Sequence, residues 1–141
     1  WWHDASYVNV PLDEWFGVIL RSIAAGRSLV IGGDVSEPGL NGHQDVAVVP
    51  TFDIPAAYID QSARELRFAD GSTTDDHGVH LVGHVELDGH HWFLIKDSNR
   101  SSRHGAFEGY YFYRDDYVRL KMLTFTVHRD AVPQILGKIE N

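Results

Sequence analysis

The sequence contains no cysteine. That absence excludes disulfides, thiolate zinc sites and a thiol nucleophile within this chain, and it names no compartment. Basic residues are few, with 12 lysines and arginines against 20 aspartates and glutamates for a formal charge of −8. Such a balance leaves no basic field to gather phosphates, so nucleic acid is not an expected partner. Long apolar runs are missing as well. Stretches such as Ala47 to Val49 or Phe93 to Ile95 fall far short of the roughly 20 residues that a membrane-crossing helix needs, and no membrane partner is expected. The chain opens Trp1-Trp2 without an initiator methionine or a charged and apolar leader, and it reads as a piece of something longer. Gly32-Gly33-Asp34 lacks the spacing of a nucleotide loop, and Pro38 interrupts any helix after it.

What is present is enough for one domain over residues 1–141, since 43% of the residues are hydrophobic. From Pro11, the residues Leu12, Trp15, Phe16, Ile19 and Ile23 recur at helical spacing as one apolar stripe. Pro11 suits the first helical position, Asp13 and Glu14 lie where the dipole favours anions, and Gly26-Arg27 suits the stop. Ser28 to Ile31 reads as a buried strand, Gly32 to Gln44 as a long loop and Asp45 to Val49 as a second strand. Pro55 opens a second helix through Arg67, before the Asp70-Gly71 turn signal. The sharpest local pattern is Gly78 to Leu87, then Asp88-Gly89, then His90 to Lys96, which predicts a β-hairpin with a two-residue turn. A loop follows from Ser98 to Glu108, then strands over Tyr110 to Tyr113 and Val118 to His128, and a short helix from Ala131. This order predicts an α+β fold, with an antiparallel sheet or partial barrel of about five or six strands and flanking helices.

Nine histidines stand out, and His77, His80, His84, His90 and His91 all lie on or beside the hairpin. A strand histidine is ordinarily a structural residue whose polar tip meets a neighbour, and that plain reading applies to most of these. A metal reading takes His80 and His84, which share a strand face at a spacing of four, and adds Asp75 or Asp76. Alternation puts His77 on the other face, and neither HExxH spacing nor any cysteine supports the idea, so no metal ligand or cofactor is assigned. A third reading pairs His77 with Asp97 at the open ends of the two hairpin strands. A carboxylate that accepts the Nδ1 proton fixes the imidazole tautomer and leaves Nε2 to work on a nucleophile drawn from another segment.

From Val8 to Leu136 the chain resembles the C-terminal half of a papain-like cysteine peptidase, most of all the bleomycin hydrolase and aminopeptidase branch. The residues that carry this are Tyr7-Val8-Asn9-Val10-Pro11-Leu12-Asp13-Glu14 leading into a helix, and Ser28-Leu29-Val30-Ile31-Gly32-Gly33-Asp34-Val35. They resemble the branch's Asn-Val-Pro helix and a strand ending in Gly-Cys-Asp-Val, with Gly33 standing where the branch often has cysteine. Asp76-His77-Gly78-Val79 resembles the block around the family's catalytic histidine. Phe93-Leu94-Ile95-Lys96-Asp97-Ser98 resembles the strand that ends in its Asn-Ser-Trp-Gly block, and Gly109-Tyr110-Tyr111-Phe112 matches the Gly-Tyr that opens the next strand. These blocks in the right order imply the β-rich lobe of that fold, with the helical lobe that carries the nucleophilic cysteine and oxyanion glutamine absent from this chain. Two departures sit at the site itself: Asp97 replaces the family's asparagine, and Asn99 replaces the tryptophan that shields the pair from water. The branch's C-terminal arm, which restricts cleavage to chain ends, is not carried over, because the chain stops at Asn141 soon after Val132-Pro133.

The resemblance implies a histidine-bearing lobe of a peptidase that acts on peptide bonds, with catalytic residues His77 and Asp97. Its partners would be a peptide substrate and the N-terminal helical lobe of the same protein, which supplies the thiol from a preceding segment or a separate chain. The alternative is a papain-fold module that has lost catalysis and serves binding or assembly; a histidine-rich metal-binding domain comes third. A lobe without its partner would leave an apolar face bare, with Trp1, Trp2, Trp15 and Trp92 as candidates and homo-oligomer formation as one consequence.

Overall fold

Helix α1 (Leu12–Ala24) forms where the apolar stripe lies, and it buries Leu12, Trp15, Phe16, Val18 and Ile19. The computed structural model describes residues 7–139, so Trp1 and Trp2 lie outside the described residues. Pro11 stands just before the first turn, and the free Leu12 N–H donates to Gln61 Oε1 at 2.6 Å. At the other end Gly26 takes φ 73, and Arg27 N–H donates to Ser22 O while Gly26 N–H donates to Ile23 O. That pair of bonds is the Schellman closure that a glycine just past a helix makes cheap.

The sheet has seven strands: β1 (Leu29–Gly33), β2 (Leu40–Asn41), β3 (Val46–Ala47), β4 (His77–Leu87), β5 (His90–Lys96), β6 (Tyr110–Arg114) and β7 (Met122–Thr126). Their order is β2-β3-β6-β5-β4-β1-β7, curled into a half-barrel with helices at its flanks. The β4–β5 hairpin turns at Asp88 and Gly89, whose φ values of 54 and 76 are the positive pair that a two-residue turn of this kind requires. The core fills the side of the sheet under α1. Phe16 meets Phe93 edge-on at 5.8 Å between ring centroids, and Ile31, Leu81, Ile95, Tyr111, Tyr113 and Tyr117 are fully buried. Each such side chain is worth about 1.5–3 kcal/mol of burial.

Five expectations change. The sheet has more strands than expected and is not wholly antiparallel, because β3 runs parallel to β6. The expected strand from Asp45 shrinks to Val46–Ala47: Asp45 itself sits at φ 55, with its carboxylate accepting from Phe107 N–H and its carbonyl from Phe112 N–H. The helix expected from Pro55 breaks into a 3-10 turn (Ala56–Tyr58) and α2 (Gln61–Ala69), since Asp60 takes the N-cap and accepts from Ala63 N–H at 2.9 Å. The strand expected over Val118 to His128 begins instead as helix α3 (Asp115–Lys121) and becomes β7 only at Met122. Asp115 and Asp116 in the first turn and Arg119 and Lys121 in the last suit the helix dipole, and burial of Tyr117, Val118 and Leu120 overrides their β propensity. The final helix, α4 (Pro133–Ile139), begins two residues after the expected start.

Trp15 is not a bare surface residue. It stacks on Phe125 at 5.7 Å and lies beneath the Arg64 guanidinium at 4.6 Å. Arg64 donates to the carbonyls of Arg119, Met122 and Leu123, so one side chain ties α2 to the α3–β7 junction. Burial, with Arg119 nearby, lowers the Arg64 pKa to about 10. Trp92 is half-buried, with Arg114 over its ring at 6.0 Å.

Candidate functional site

β4 and β5 run antiparallel, so the start of one lies beside the end of the other. Their ladder reaches only to His80↔Lys96. Beyond it His77 opens β4 opposite Gly33 of β1, and Asp97 follows the last residue of β5. His77 Nε2 donates to Asp97 Oδ1 at 2.7 Å, a direction fixed because a carboxylate only accepts. The Asp97 side chain is 1% exposed and that of His77 26%. One partner is therefore buried and fixed, while the other reaches water.

Asp97 is held from all sides. Its Oδ1 also accepts from Asn99 N–H at 2.9 Å, its own N–H donates to Gly109 O, and its carbonyl accepts from Ser102 Oγ. The bond to His77 corrects one expectation, because Nε2 rather than Nδ1 faces the carboxylate. His77 and Asp97 are not a register pair, so the far nitrogen of the ring is the one that reaches. Neutral His77 thus carries its proton on Nε2 and keeps the Nδ1 lone pair available.

A layer that sequence reasoning left without a role supports this end of the hairpin. Asp34 accepts from Ser36 N–H and Oγ through one oxygen and from Thr74 N–H and Oγ1 through the other. Burial pushes the Asp34 carboxyl up, and the hydrogen bonds from Thr74 and Ser36 more than offset this and hold it below the usual carboxylate range. The Asp34 carbonyl accepts from the Tyr117 hydroxyl at 2.7 Å, and burial drives that phenol's pKa upward, so it stays protonated and donating. Asp76 accepts from Val35 N–H and donates its own N–H to Gly33 O. The Gly-Gly-Asp-Val and Asp-His-Gly-Val blocks are therefore laced together immediately before His77. Asp34 had a sequence signal in its place directly after a buried strand; Tyr117 had none, since it lay ahead of an expected strand. Gly33 is also explained, because a Cβ there would collide with the Lys121 carbonyl and the Met122 Cα.

The metal reading of His80 and His84 fails on geometry. A bulge between Leu81 and Gly83 breaks the alternation of β4. His80 pairs with Lys96 on the outer face and bonds Ser28 Oγ at 2.9 Å, whereas His84 pairs with Phe93 on the core face and meets His91. Asp75 and Asp76 are engaged elsewhere, with Thr124 Oγ1 and Val35 N–H. His90 bonds Asp115 at 3.0 Å. Among the described residues, no group of three or more His, Cys, Asp or Glu is arranged to hold a metal ion.

No family model matches the chain, and no curated protein does. Among solved structures, PepW from Lactobacillus rhamnosis HN001 matches with a TM-score of 0.67 at 18% identity, over 94% of this chain and 30% of that one. The chain thus spans less than a third of PepW's length. At this identity the likeness is one of fold, and it gives this chain the architecture of a part of PepW.

Proposed function

We propose that His77 and Asp97 are the acid–base half of a cysteine peptidase site of the papain-like type, in the bleomycin hydrolase and aminopeptidase branch. The nucleophilic thiol comes from an N-terminal helical lobe in a preceding segment or separate chain. The observation that carries this reading is the 2.7 Å contact between a buried, immobilised carboxylate and Nε2 of a partly exposed imidazole. The fold likeness to PepW, a peptidase, agrees with it.

The chemistry follows from the tautomer. Nδ1 of His77 accepts the thiol proton, giving a thiolate and an imidazolium whose Nε2–H stays on Asp97. The thiolate attacks the peptide carbonyl, and Nδ1–H then passes its proton to the leaving amine. His77, neutral again, takes a proton from the water that releases the acyl group. Asp97 needs only to accept, which an asparagine side chain also does, so the carboxylate replaces it without breaking the geometry. In the complete protein, His77→Ala should lower peptide turnover by about 10²–10⁴-fold, measured as kcat/KM on a peptide substrate. Turnover that survives this substitution overturns the reading.

A second reading, a non-catalytic binding or assembly module, is favoured by Asn99. This residue is exposed, and its Oδ1 turns to accept from Ser101 N–H rather than covering the His77–Asp97 pair. Water thereby reaches the imidazole side of the pair, while Asp97 stays buried. Iodoacetamide treatment of the complete protein separates the two: loss of turnover with one alkylated cysteine supports the peptidase, and a protein with no thiol near His77 supports the module.

A further inference from the structure

The outer face of the sheet carries a depression of its own, behind the His77–Asp97 pair. Val30, His80, Lys96 and Tyr110 stand in register as one row across β1, β4, β5 and β6, and together they floor a cavity of about 610 Å³. The loop after β5 walls it with Arg103 and Glu108. Gly78 lies two residues before His80 on the same strand face, while alternation turns His77 to the other side. Asp97 shares the wall, but its carboxylate is turned toward His77 and buried. We infer that this cavity binds a free amino acid or a similarly small zwitterion, with its carboxylate on Lys96 and Arg103 and its ammonium on Glu108.

Three observations carry it. The first is charge. Lys96, Arg103 and Glu108 line one cavity, yet none of their side chains makes an ion pair or hydrogen bond among the described residues. Opposite charges held apart around a common space suit a ligand that carries both signs, and two unpaired cations stand out in a chain of net charge −8. The second is preorganisation. Gly109 N–H donates to Ser102 O at 2.7 Å, Gly109 O accepts from Asp97 N–H, and Phe107 N–H donates to the buried Asp45 carboxylate. Ser102 Oγ donates to the carbonyls of Asp97 and Asn99. Both neighbours of Glu108, and the residue before Arg103, are therefore pinned. The third is room. The volume falls within the range of small-ligand sites, and a Cβ at Gly78 would find only Val30 Cγ1 within 4 Å, so the bare glycine leaves the floor open. Val30 and Tyr110 supply apolar surface for the side chain of the amino acid.

The test is a calorimetric titration of the complete protein with L-phenylalanine. This probe has no peptide bond, so binding is read without turnover and stands or falls independently of the peptidase reading. Affinity should drop by about tenfold or more for L-phenylalaninamide, which lacks the carboxylate, and for N-acetyl-L-phenylalanine, which lacks the ammonium. Lys96→Gln and Arg103→Gln should each weaken L-phenylalanine binding by about tenfold, and Glu108→Gln should weaken it while leaving N-acetyl-L-phenylalanine unaffected. All three residues are exposed, so these variants should stay folded. Gly78→Val suits a strand and fills the floor without touching a charge, and it should abolish binding. No saturation below about 10 mM, equal affinity for the amide, or affinity unchanged in the three charge variants overturns the inference.

Discussion

The two ends of one hairpin use the same residue type in opposite ways. At the open end, His77 meets a carboxylate that is 1% exposed, accepts also from Asn99 N–H, and belongs to a residue whose backbone N–H and C=O are both bonded. At the turn end, His84 meets another imidazole at 2.9 Å, and its protonation is disfavoured by burial and by that neighbour. A histidine's chemistry here is set by its partner and by how firmly that partner is held. The strand that carries both only decides which face each occupies, and a single bulge changes that.

The sharpest way to break this contrast is to remove each partner in turn. Asp97→Ala removes the buried acceptor shared by Asn99 N–H and His77 Nε2–H and should cost about 2–3 kcal/mol in urea unfolding. His91→Ala leaves an exposed imidazole that water can satisfy, and should cost less than about 1.5 kcal/mol, mostly lost packing on Phe16. Equal costs would mean that the two ends are not different in kind.

Next in size is the brace behind His77. Asp34→Ala removes the acceptor for two backbone N–H groups and two hydroxyls and should lower stability by about 1–3 kcal/mol. Because its native pKa is depressed, the ionised Asp34 contributes stability above the unfolded carboxylate value of about 3.9, and that contribution is lost as pH falls through the native value. Unfolding curves from pH 6 to pH 3 should show a steeper loss in the parent than in Asp34→Asn.

The smallest effect belongs to the turn end. A histidine whose native pKa is lowered is protonated more readily in the unfolded chain, so its contribution to stability falls as pH drops through about 6.5. His84→Asn should flatten the stability profile between pH 7 and 5, and a profile that stays unchanged would remove the imidazole pair from the argument.

Helix α1 and the hairpin were legible because local signals were complete: a stripe with a glycine stop in one, an Asp-Gly pair between β-prone runs in the other. His77 and Asp97 were legible as neighbours because a hairpin brings its open ends together whatever the side chains are. The atoms were not, since which ring nitrogen reaches the carboxylate depends on where the ladder stops. The bulge at Leu81/Gly83 was hidden as well, although Gly83 inside a strand was its trace. Helix α3 ran against the propensities of Tyr117 and Val118, which burial overrode. Parallel pairing of β3 with β6 had no local cue, because it joins segments far apart in the chain.

The order of the sheet also has a kinetic consequence. The Asp88-Gly89 turn can close within microseconds from residues already adjacent in sequence. The open end is complete only when β1 has paired with β4, and β7, about two-thirds of the chain away, has paired with β1. Loop closure over such distances is slow. Substitutions near His84 should therefore slow folding, while substitutions around His77 and Asp34 should chiefly speed unfolding, so the imidazole and carboxylate that carry the proposed chemistry would be among the last contacts the molecule makes.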